Sequence, residues 1–217
     1  MTTAGNPLVI AHHLIWTVYG WWLPNDPRGS GSHTIDSAVL ADLGEIHYGR
    51  KKVQPVGDMV RKFYAQAEDK LNHSLRVLTP TDIALVAAAC EEVMTQRRYT
   101  CYACAIRPDH VHVLIRKHRD SAEMMLEEIK TLSRKRLEDA GWSGHPVWAG
   151  GGGWKVFLDH PQEVQRIIGY IQRNPLKAHL FAQNWPFVVT YNNWPLHPGH
   201  SPNSPYVRAL QAAGRYP

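Results

Sequence analysis

Residues 99–116 read YTCYACAIRPDHVHVLIR, and this stretch decides the fold. It predicts two β-strands, residues 99–107 and 110–116, that a turn of only two residues separates. Strands joined by so short a turn pair antiparallel. Because side chains alternate along a strand, His110 and His112 point to one face and Val111, Val113 and Ile115 to the other. We expect helices to cover the apolar face, which leaves both histidines free for chemistry.

The segments around this hairpin complete a mixed pattern of strands and helices. Residues 9–18 and 154–158 are rich in β-branched and aromatic side chains and predict two further strands. Helix start signals precede apolar residues at helical spacing after Thr79, over about residues 121–140, and after Asp159. The order strand-helix-strand-strand-helix-strand is that of a ferredoxin-like split βαβ arrangement. We therefore predict an α+β fold, with an antiparallel sheet, helices on one face and an extra C-terminal helix.

The length of 217 residues favours one domain that carries an insertion. We place the insertion at about residues 25–77, with loop chemistry first and a short helix over about residues 59–75. Its basic run, Arg50 to Lys52, is equally consistent with a solvated loop and with a nucleic-acid contact. The domain then covers residues 1–187, and residues 188–217 form an irregular C-terminal tail.

Composition narrows the class of protein. The hydrophobic content is 44%, no apolar run is long enough to span a membrane, and the first residues lack a signal-peptide pattern, so we expect a cytoplasmic location. Three cysteines do not describe a disulfide scaffold. Cys101 and Cys104 are three positions apart on a predicted strand, a spacing that points their thiols to opposite faces, so we interpret them as reduced, buried thiols.

Charge and aromatic content favour a particular partner. The formal net charge is +5, and the chain contains eight tryptophans and nine tyrosines. Basic groups with exposed stacking side chains suit single-stranded nucleic acid better than a membrane surface. The same net charge is also compatible with plain solubility.

Two histidines on one strand face make half of a metal site, although they are also consistent with ordinary polar-face residues. The last predicted helix offers further groups. Tyr170 lies at the edge of its apolar face, and Asn174 follows one turn later, so a phenol and an amide oxygen can point together. Pro175 is expected to kink or end the helix there. A boundary tyrosine with a terminating Asn-Pro pair is the plainer alternative.

These two segments together carry a resemblance. The motif DHVHVLI at residues 109–115, followed by GYIQRNPLKA at residues 169–178, resembles the HUH transposases with a single catalytic tyrosine, and especially the REP-associated tyrosine transposases. The resemblance extends from the first strand to about residue 187. It implies that the extra C-terminal helix carries the catalytic tyrosine.

The resemblance also implies roles for residues. His110, His112 and Asn174 would be ligands of a divalent metal, Mg²⁺ or Mn²⁺, and Tyr170 would be the nucleophile. The reaction would cut single-stranded DNA, leaving a 5′-phosphotyrosine linkage and a free 3′ hydroxyl. The implied partner is single-stranded DNA that contains imperfect palindromes and folds into hairpins, bound by a monomer or a homodimer.

Further residues are candidates for contacts with such DNA. The basic side chains available on the two later helices are Lys130, Arg134, Lys135, Arg136, Arg166, Arg173 and Lys177. The candidates for base stacking are Trp21, Trp22 and Trp142. We interpret the adjacent pair His12 and His13 as structural, because neighbours on a strand face opposite ways. Residues 150–153, four consecutive glycines, are interpreted as a hinge.

Two other functions remain open on the sequence. A domesticated protein could bind hairpin DNA without cutting it. An unrelated two-histidine metal hydrolase could use water as the nucleophile, with Asp109 as the general base.

Overall fold

The computed structural model describes residues 8–31, 38–195 and 205–214, which contain a four-stranded antiparallel sheet with helices on both faces. The elements are β1 (Ala11–Thr17), α1 (Ala38–Ala41), α2 (Gly57–Glu68), α3 (Pro80–Arg97), β2 (Cys101–Ile106), β3 (His110–Arg116), α4 (Ala122–Asp139), β4 (Trp154–Leu158), α5 (Pro161–Lys177) and α6 (Pro205–Ala212). Among them, no helix is both long and apolar enough to cross a membrane. The strand order β2-β3-β1-β4 confirms the predicted α+β ferredoxin-like arrangement.

The pairing of β1 with β3 sets which residues face the histidines. Thr17 pairs with His110 and Ile15 with His112, so these four side chains share one face of the sheet. The apolar residues that alternate with the histidines along β3 point to the other face, where they join buried residues of α3 and α4 in the larger core. The predicted separation of an apolar face from a histidine face is therefore confirmed.

Helices α3 and α4 start where the sequence signals predict. The Thr79 side chain accepts a hydrogen bond from the backbone N–H of Asp82, whose carboxylate accepts from the backbone N–H of Thr79. Pro80 follows in the first helical turn, where its missing N–H has no intrahelical partner to lose. Ser121 caps α4 by accepting from the N–H of Met124. Such caps satisfy backbone donors that helix starts leave without partners.

Helix α5 packs on the face that carries the histidines. Its apolar residues Val164, Ile167 and Ile171 join a second core cluster, to which Ala11 of β1 and Leu114 of β3 also belong. Helix α5 continues through Pro175 to Lys177, so the expectation that Pro175 kinks or ends the helix was wrong in its position. Pro175 lacks a backbone N–H and so removes one hydrogen bond of the helix. The helix ends only two residues later, at Lys177.

The cysteines correct another expectation. A shift of register between Cys101 and Ala103 interrupts the alternation of β2, so Cys101 and Cys104 do not point to opposite faces. Both lie in the core cluster that contains Cys90 of α3. All three are free and buried, as predicted, and burial raises the pKa of the Cys101 thiol and of the Cys104 thiol.

The insertion forms a small core of its own beside the sheet. Leu23 packs with the buried α2 residues Phe63, Tyr64 and Ala67, and Trp21 lies against them. Helix α2 covers residues 57–68, which places it earlier and makes it shorter than predicted. The basic side chains of α2 point to solvent, where Arg61 and Lys62 both pair with Asp58.

The expected irregular tail contains ordered contacts and a helix. Val189 donates its backbone N–H to the Cys101 carbonyl over 2.9 Å, and α6 buries Tyr206, Val207 and Leu210. Tyr206 and Leu210 belong to the core cluster under α5, because positions four apart lie on one face of a helix. The tail is therefore part of the packed structure. The expected loop around His197 and His200 lies outside the described residues.

His12 faces the α4 side of the sheet and is 1% exposed. Neither ring nitrogen has a hydrogen-bond partner among the described residues. Burial, and secondarily the nearby Lys117 ammonium, lower the pKa of His12 to about 4 from 6.5. The unfolded chain therefore binds a proton at His12 more tightly than the folded protein does. As a result, His12 lowers the free energy of unfolding as the pH drops from about 6.5 toward 4.

We expect His12→Leu to stabilise the protein. Removing an unsatisfied buried polar group should raise the free energy of unfolding by about 1 kcal/mol at neutral pH. The gain should widen by about 2 kcal/mol near pH ~4.5, because leucine takes up no proton on unfolding. Urea denaturation at both pH values measures the two effects, with His47→Leu at an exposed position as the control. A loss of stability at neutral pH would contradict the assignment of His12 as unsatisfied.

Candidate active site

The site starts from the two histidines of β3. His110 and His112 are each 4% exposed, and their ring centroids lie 4.8 Å apart at nearly perpendicular planes. Both rings lie on the α5 face of the sheet, next to Ile15 and Thr17 of β1. The buried Nε2 atom of His112 has no hydrogen-bond partner among the described residues. A buried nitrogen without a partner is suited to contact a bound ion or molecule.

Asp109 orients the first histidine. Its Oδ1 atom lies 2.8 Å from Nδ1 of His110 and 3.6 Å from Nε of Arg107. Burial opposes ionisation of Asp109, yet His110, Arg107 and Arg28 together hold its pKa below the usual range. The carboxylate therefore accepts the Nδ1–H of His110, which leaves Nε2 as the nitrogen that carries the lone pair.

His13 orients the second histidine, a role that the sequence analysis missed. Its Nε2 atom lies 3.0 Å from Nδ1 of His112, and the two rings stack at 5.1 Å. Burial lowers the pKa of His13 to about 4. Burial, followed by the charges of His110 and His13, also lowers the pKa of His112 well below its usual value. Both rings are thus neutral near pH 7, and the contact between them holds one proton, carried by Nε2 of His13 or by Nδ1 of His112.

The alternation of β1 contained a partial signal for His13, because His13, Ile15 and Thr17 fall on one face. Deciding whether that face is the one with His110 and His112 requires the register between β1 and β3. The register places His13 beside His112, so the expectation that His13 is only structural is corrected. His12 lies on the opposite face of the strand.

Helix α5 brings Tyr170 to the same place. The Tyr170 ring centroid lies 5.5 Å from that of His112 and 6.4 Å from that of His13. The Nζ atom of Lys177 lies 5.2 Å from the centroid of the Tyr170 ring, on its face. The phenol of Tyr170 therefore lies beside two neutral imidazoles and the ammonium group of Lys177. These groups come from three elements, β1, β3 and α5.

Asn174 lies one turn after Tyr170 and is 3% exposed. Its Oδ1 atom accepts a hydrogen bond from Nη1 of Arg107 over 3.3 Å, and its buried Nδ2 atom has no hydrogen-bond partner in the part of the chain that the structure describes. Arg107 also lies beside Asp109, which in turn contacts His110. The side chains of Arg107 and Asp109 therefore link the amide of Asn174 to His110.

The side chains around the histidine pair offer donors for a divalent metal ion. The described residues contain no group of three histidine, cysteine or acidic side chains that could hold one. The Nε2 atoms of His110 and His112 do fit, because the other nitrogen of each ring is already bonded. The amide oxygen of Asn174 could be a third ligand once its bond to Arg107 is released. Such a set leaves coordination positions open.

A cavity of about 330 Å³ opens beside the histidines. His110, His112 and Tyr170 line one part of it, and Trp22 and Arg50 of the insertion region line another. Ala149 and the glycine run at residues 150–153, together with Lys130 and Trp154, complete the walls. The glycine run is thus a wall of the site, in addition to any hinge role that the sequence suggested.

A buried ion pair braces the insertion wall. Arg28 donates to both carboxylate oxygens of Asp26 over 2.9 and 2.7 Å, and Tyr64 of α2 also donates to Asp26. The guanidinium of Arg28 lies 3.8 Å from the ring centroid of Trp22, and that centroid lies 5.6 Å from the centroid of the His110 ring, with the two ring planes nearly perpendicular. Gly29 has φ +93°, and an added Cβ would lie 2.0 Å from the Gly49 carbonyl oxygen. These contacts fix Trp22 against the histidine pair.

The predicted DNA-binding residues differ in whether their side chains are exposed, paired or buried. Lys177 lies at the tyrosine, Arg166 and Arg173 are exposed on α5, and Arg134 and Lys135 are exposed on α4. Arg136 is instead paired with Glu92 of α3. Lys130, which we expected on the outer surface, is buried and lines the cavity.

The predicted stacking residues also separate. Trp21 donates to the Arg76 carbonyl and packs on Tyr64, and Trp142 is 8% exposed in the core. Both are therefore structural in this fold. Trp22 lines the cavity, so one of the three candidates lies where a substrate can reach it.

No protein-family profile matches the chain, and no curated protein matches it significantly. A solved structure of a REP-associated tyrosine transposase bound to a REP hairpin is 14% identical, with 86% of this chain and 81% of that chain covered and a TM-score of 0.44. A candidate transposase from Deinococcus radiodurans R1 is 16% identical, with 80% and 96% covered and a TM-score of 0.36. Roles of individual residues do not transfer at these similarities, so the site geometry bears the functional conclusion.

Proposed function

We propose that this protein is a metal-dependent single-stranded DNA endonuclease and strand transferase that acts through a covalent 5′-phosphotyrosine intermediate. One observation carries the proposal. The Tyr170 ring lies 5.5 Å from the ring of His112, which with His110 forms a pair whose Nδ1 atoms are both held by neighbouring side chains. A nucleophile beside two oriented imidazoles is an arrangement suited to phosphoryl transfer with a bound cation.

His110 and His112 would hold the cation through Nε2, with the amide oxygen of Asn174 as the third ligand. A bound Mg²⁺ or Mn²⁺ would polarise the scissile phosphate and offset the charge that builds up on its oxygens. Asp109 accepts the Nδ1–H of His110, and His13 would accept that of His112, so that both Nε2 atoms would be free to bind the cation. Arg107 holds Asp109 and Asn174 together at the edge of this site.

Tyr170 would attack the phosphorus atom. The phenol oxygen forms a bond to phosphorus, the bond from phosphorus to the 3′ oxygen breaks, and the leaving oxygen takes a proton to become a free 3′ hydroxyl. The phenol gives up its own proton to solvent as this bond forms, and the Lys177 ammonium lies on the face of the ring. The bond energy is retained in the tyrosine ester, so the same site can rejoin a strand.

The substrate that the sequence resemblance implies is single-stranded DNA with imperfect palindromes that fold as hairpins. Charge supports such a partner. Arg50 lines the cavity, and Arg166, Arg173 and Lys177 are exposed on the helix that carries the tyrosine. Exposed cations of this kind bind backbone phosphates independently of the base sequence.

A labelled hairpin oligonucleotide with single-stranded flanks tests the proposal. Incubation with Mg²⁺ or Mn²⁺ should produce a protein-DNA adduct that survives denaturation, and EDTA should prevent it. Binding without an adduct would favour a domesticated hairpin-DNA-binding protein. Cleavage without an adduct would favour a hydrolase that uses water, although the bond from Asp109 to His110 speaks against Asp109 as its base.

The proposed role of His13 gives a prediction for metal binding. We expect His13→Leu to weaken the binding of Mn²⁺ by about 10- to 100-fold, because the Nδ1–H of His112 loses its acceptor. Isothermal titration with Mn²⁺ alone measures this without relying on activity. His12→Leu is the matched control, since it alters the neighbouring residue on the opposite face of the strand. Unchanged Mn²⁺ affinity in a folded His13→Leu protein would remove His13 from the site.

A further inference from the structure

Trp22 is held beside the histidines at a cost to the chain. Its backbone lies in the left-handed region, with φ 56°, which is rare for a residue as bulky as tryptophan. Its indole N–H is buried without a hydrogen-bond partner among the described residues. A residue keeps two such unfavourable features only where its surroundings over-determine its position, and positions of this kind cluster at functional sites.

The insertion supplies those surroundings through one hydroxyl group. The hydroxyl of Tyr64, on α2, accepts the backbone N–H of Trp22 over 2.7 Å. It also accepts from Nη2 of Arg28 over 3.1 Å and donates to the carboxylate of Asp26, so its one donor and both its lone pairs are used. The guanidinium of Arg28 in turn lies 3.8 Å from the centroid of the Trp22 ring. Tyr64 therefore fixes the backbone of Trp22 directly and its ring through Arg28.

The indole of Trp22 contacts one of the two candidate metal ligands. Its ring centroid lies 5.6 Å from that of His110, with the ring planes nearly perpendicular. The ring of His112 contacts His110 at 4.8 Å in the same way. The hydrogen bond to Asp109 holds Nδ1 of His110, but a bond at one ring atom leaves the imidazole plane able to tilt. Packing of Trp22 against the ring limits this tilt and so sets the direction of the Nε2 lone pair.

We infer that the insertion sets the metal affinity of the site through Tyr64 and Trp22, which are positioning residues for the ligand His110. The inference rests on the proposed function, since it concerns the same metal site. A ligand must be held within roughly 0.5 Å and 10–20° of its productive geometry to bind well. Loss of the bond from Trp22 to Tyr64 frees Trp22 and lets the His110 ring leave that range. The insertion is thus part of the metal site, although neither positioning residue supplies a ligand.

Isothermal titration with Mn²⁺ alone tests the inference without any reaction. Tyr64→Phe deletes one oxygen atom, and we expect the dissociation constant for Mn²⁺ to rise about tenfold. Tyr99→Phe is the matched control. Tyr99 is 6% exposed against 5% for Tyr64, and its hydroxyl also donates to an aspartate, Asp120. It should keep the Mn²⁺ affinity, because neither Tyr99 nor Asp120 lines the cavity.

Cleavage of a labelled hairpin over a range of Mn²⁺ concentrations separates positioning from a general loss of structure. In Tyr64→Phe the half-saturating Mn²⁺ concentration should rise about tenfold, whereas the rate at saturating Mn²⁺ should stay within about twofold of that of the unaltered protein. A lower saturated rate with an unchanged half-saturating concentration would contradict a positioning role.

Trp22 offers a second test that leaves the buried network of the insertion intact. Trp22→Leu keeps Tyr64 and should weaken Mn²⁺ binding by about tenfold, whereas Trp22→Phe retains a ring against His110 and should recover most of the affinity. Unchanged Mn²⁺ affinity in folded Tyr64→Phe or Trp22→Leu protein overturns the inference and leaves the proposed function standing. An unaltered protein that binds no Mn²⁺ overturns both.

Discussion

Tyr170→Phe is expected to abolish the covalent protein-DNA adduct and to lower the cleavage rate by on the order of 10³-fold or more. The change deletes one oxygen atom, the proposed nucleophile, while the ring can keep its contacts with His112 and Lys177. The fold and the affinity for hairpin DNA should therefore be retained. Single-turnover cleavage of a labelled hairpin, with adducts separated under denaturing conditions, measures the effect.

Tyr191→Phe is the matched control for this substitution. Its hydroxyl donates to the Trp194 carbonyl, and its ring packs on Tyr102. It should cleave at the rate of the unaltered protein. Cleavage that persists in Tyr170→Phe would show that water or another side chain is the nucleophile, and the tyrosine mechanism would be abandoned.

The double substitution His110→Ala and His112→Ala is expected to have the second largest effect. Both imidazoles that fit a divalent ion are removed, so the affinity for Mn²⁺ should fall by more than about 100-fold, beyond the loss expected for an orienting residue. Cleavage should then no longer respond to added Mg²⁺ or Mn²⁺. Isothermal titration and cleavage over a range of metal concentrations measure the two effects.

DNA binding in EDTA separates the loss of metal from a loss of structure. It should be nearly unchanged in the double variant, because Arg50 and the cations of α5 are left in place. His118→Ala, just beyond β3 and bonded to Asp120, is a control that should keep the metal affinity. Metal-dependent cleavage by the double variant would exclude His110 and His112 as the ligands.

The fold could be predicted largely from local patterns. Alternation of apolar and polar residues marked the strands, and capping residues such as Thr79 and Ser121 marked the starts of α3 and α4. The expectations failed where a local rule met a tertiary constraint. The bulge of β2 turned Cys101 and Cys104 toward the same core, and packing under α5 made a helix of the expected irregular tail.

The candidate site was predictable only in part. His110 and His112 followed from period-two geometry, and Tyr170 with Asn174 followed from helical spacing and a resemblance. Lys130 was expected on the outside because it lies among exposed basic residues of α4, yet packing of that helix directs its amine into the cavity. Asp26, Arg28 and Trp22 were assigned to loops or surfaces, and their buried contacts depend on α2.

The sequence by itself determined the α+β class, the order of the strands and helices, and the two motifs that supply the candidate chemistry, because these depend on the spacing of residues near one another in the chain. Only the tertiary structure decided that His13 lies at His112 and that the insertion and the glycine run wall the cavity. Those contacts depend on the pairing of β1 with β3 and on how distant segments pack, which no local spacing specifies.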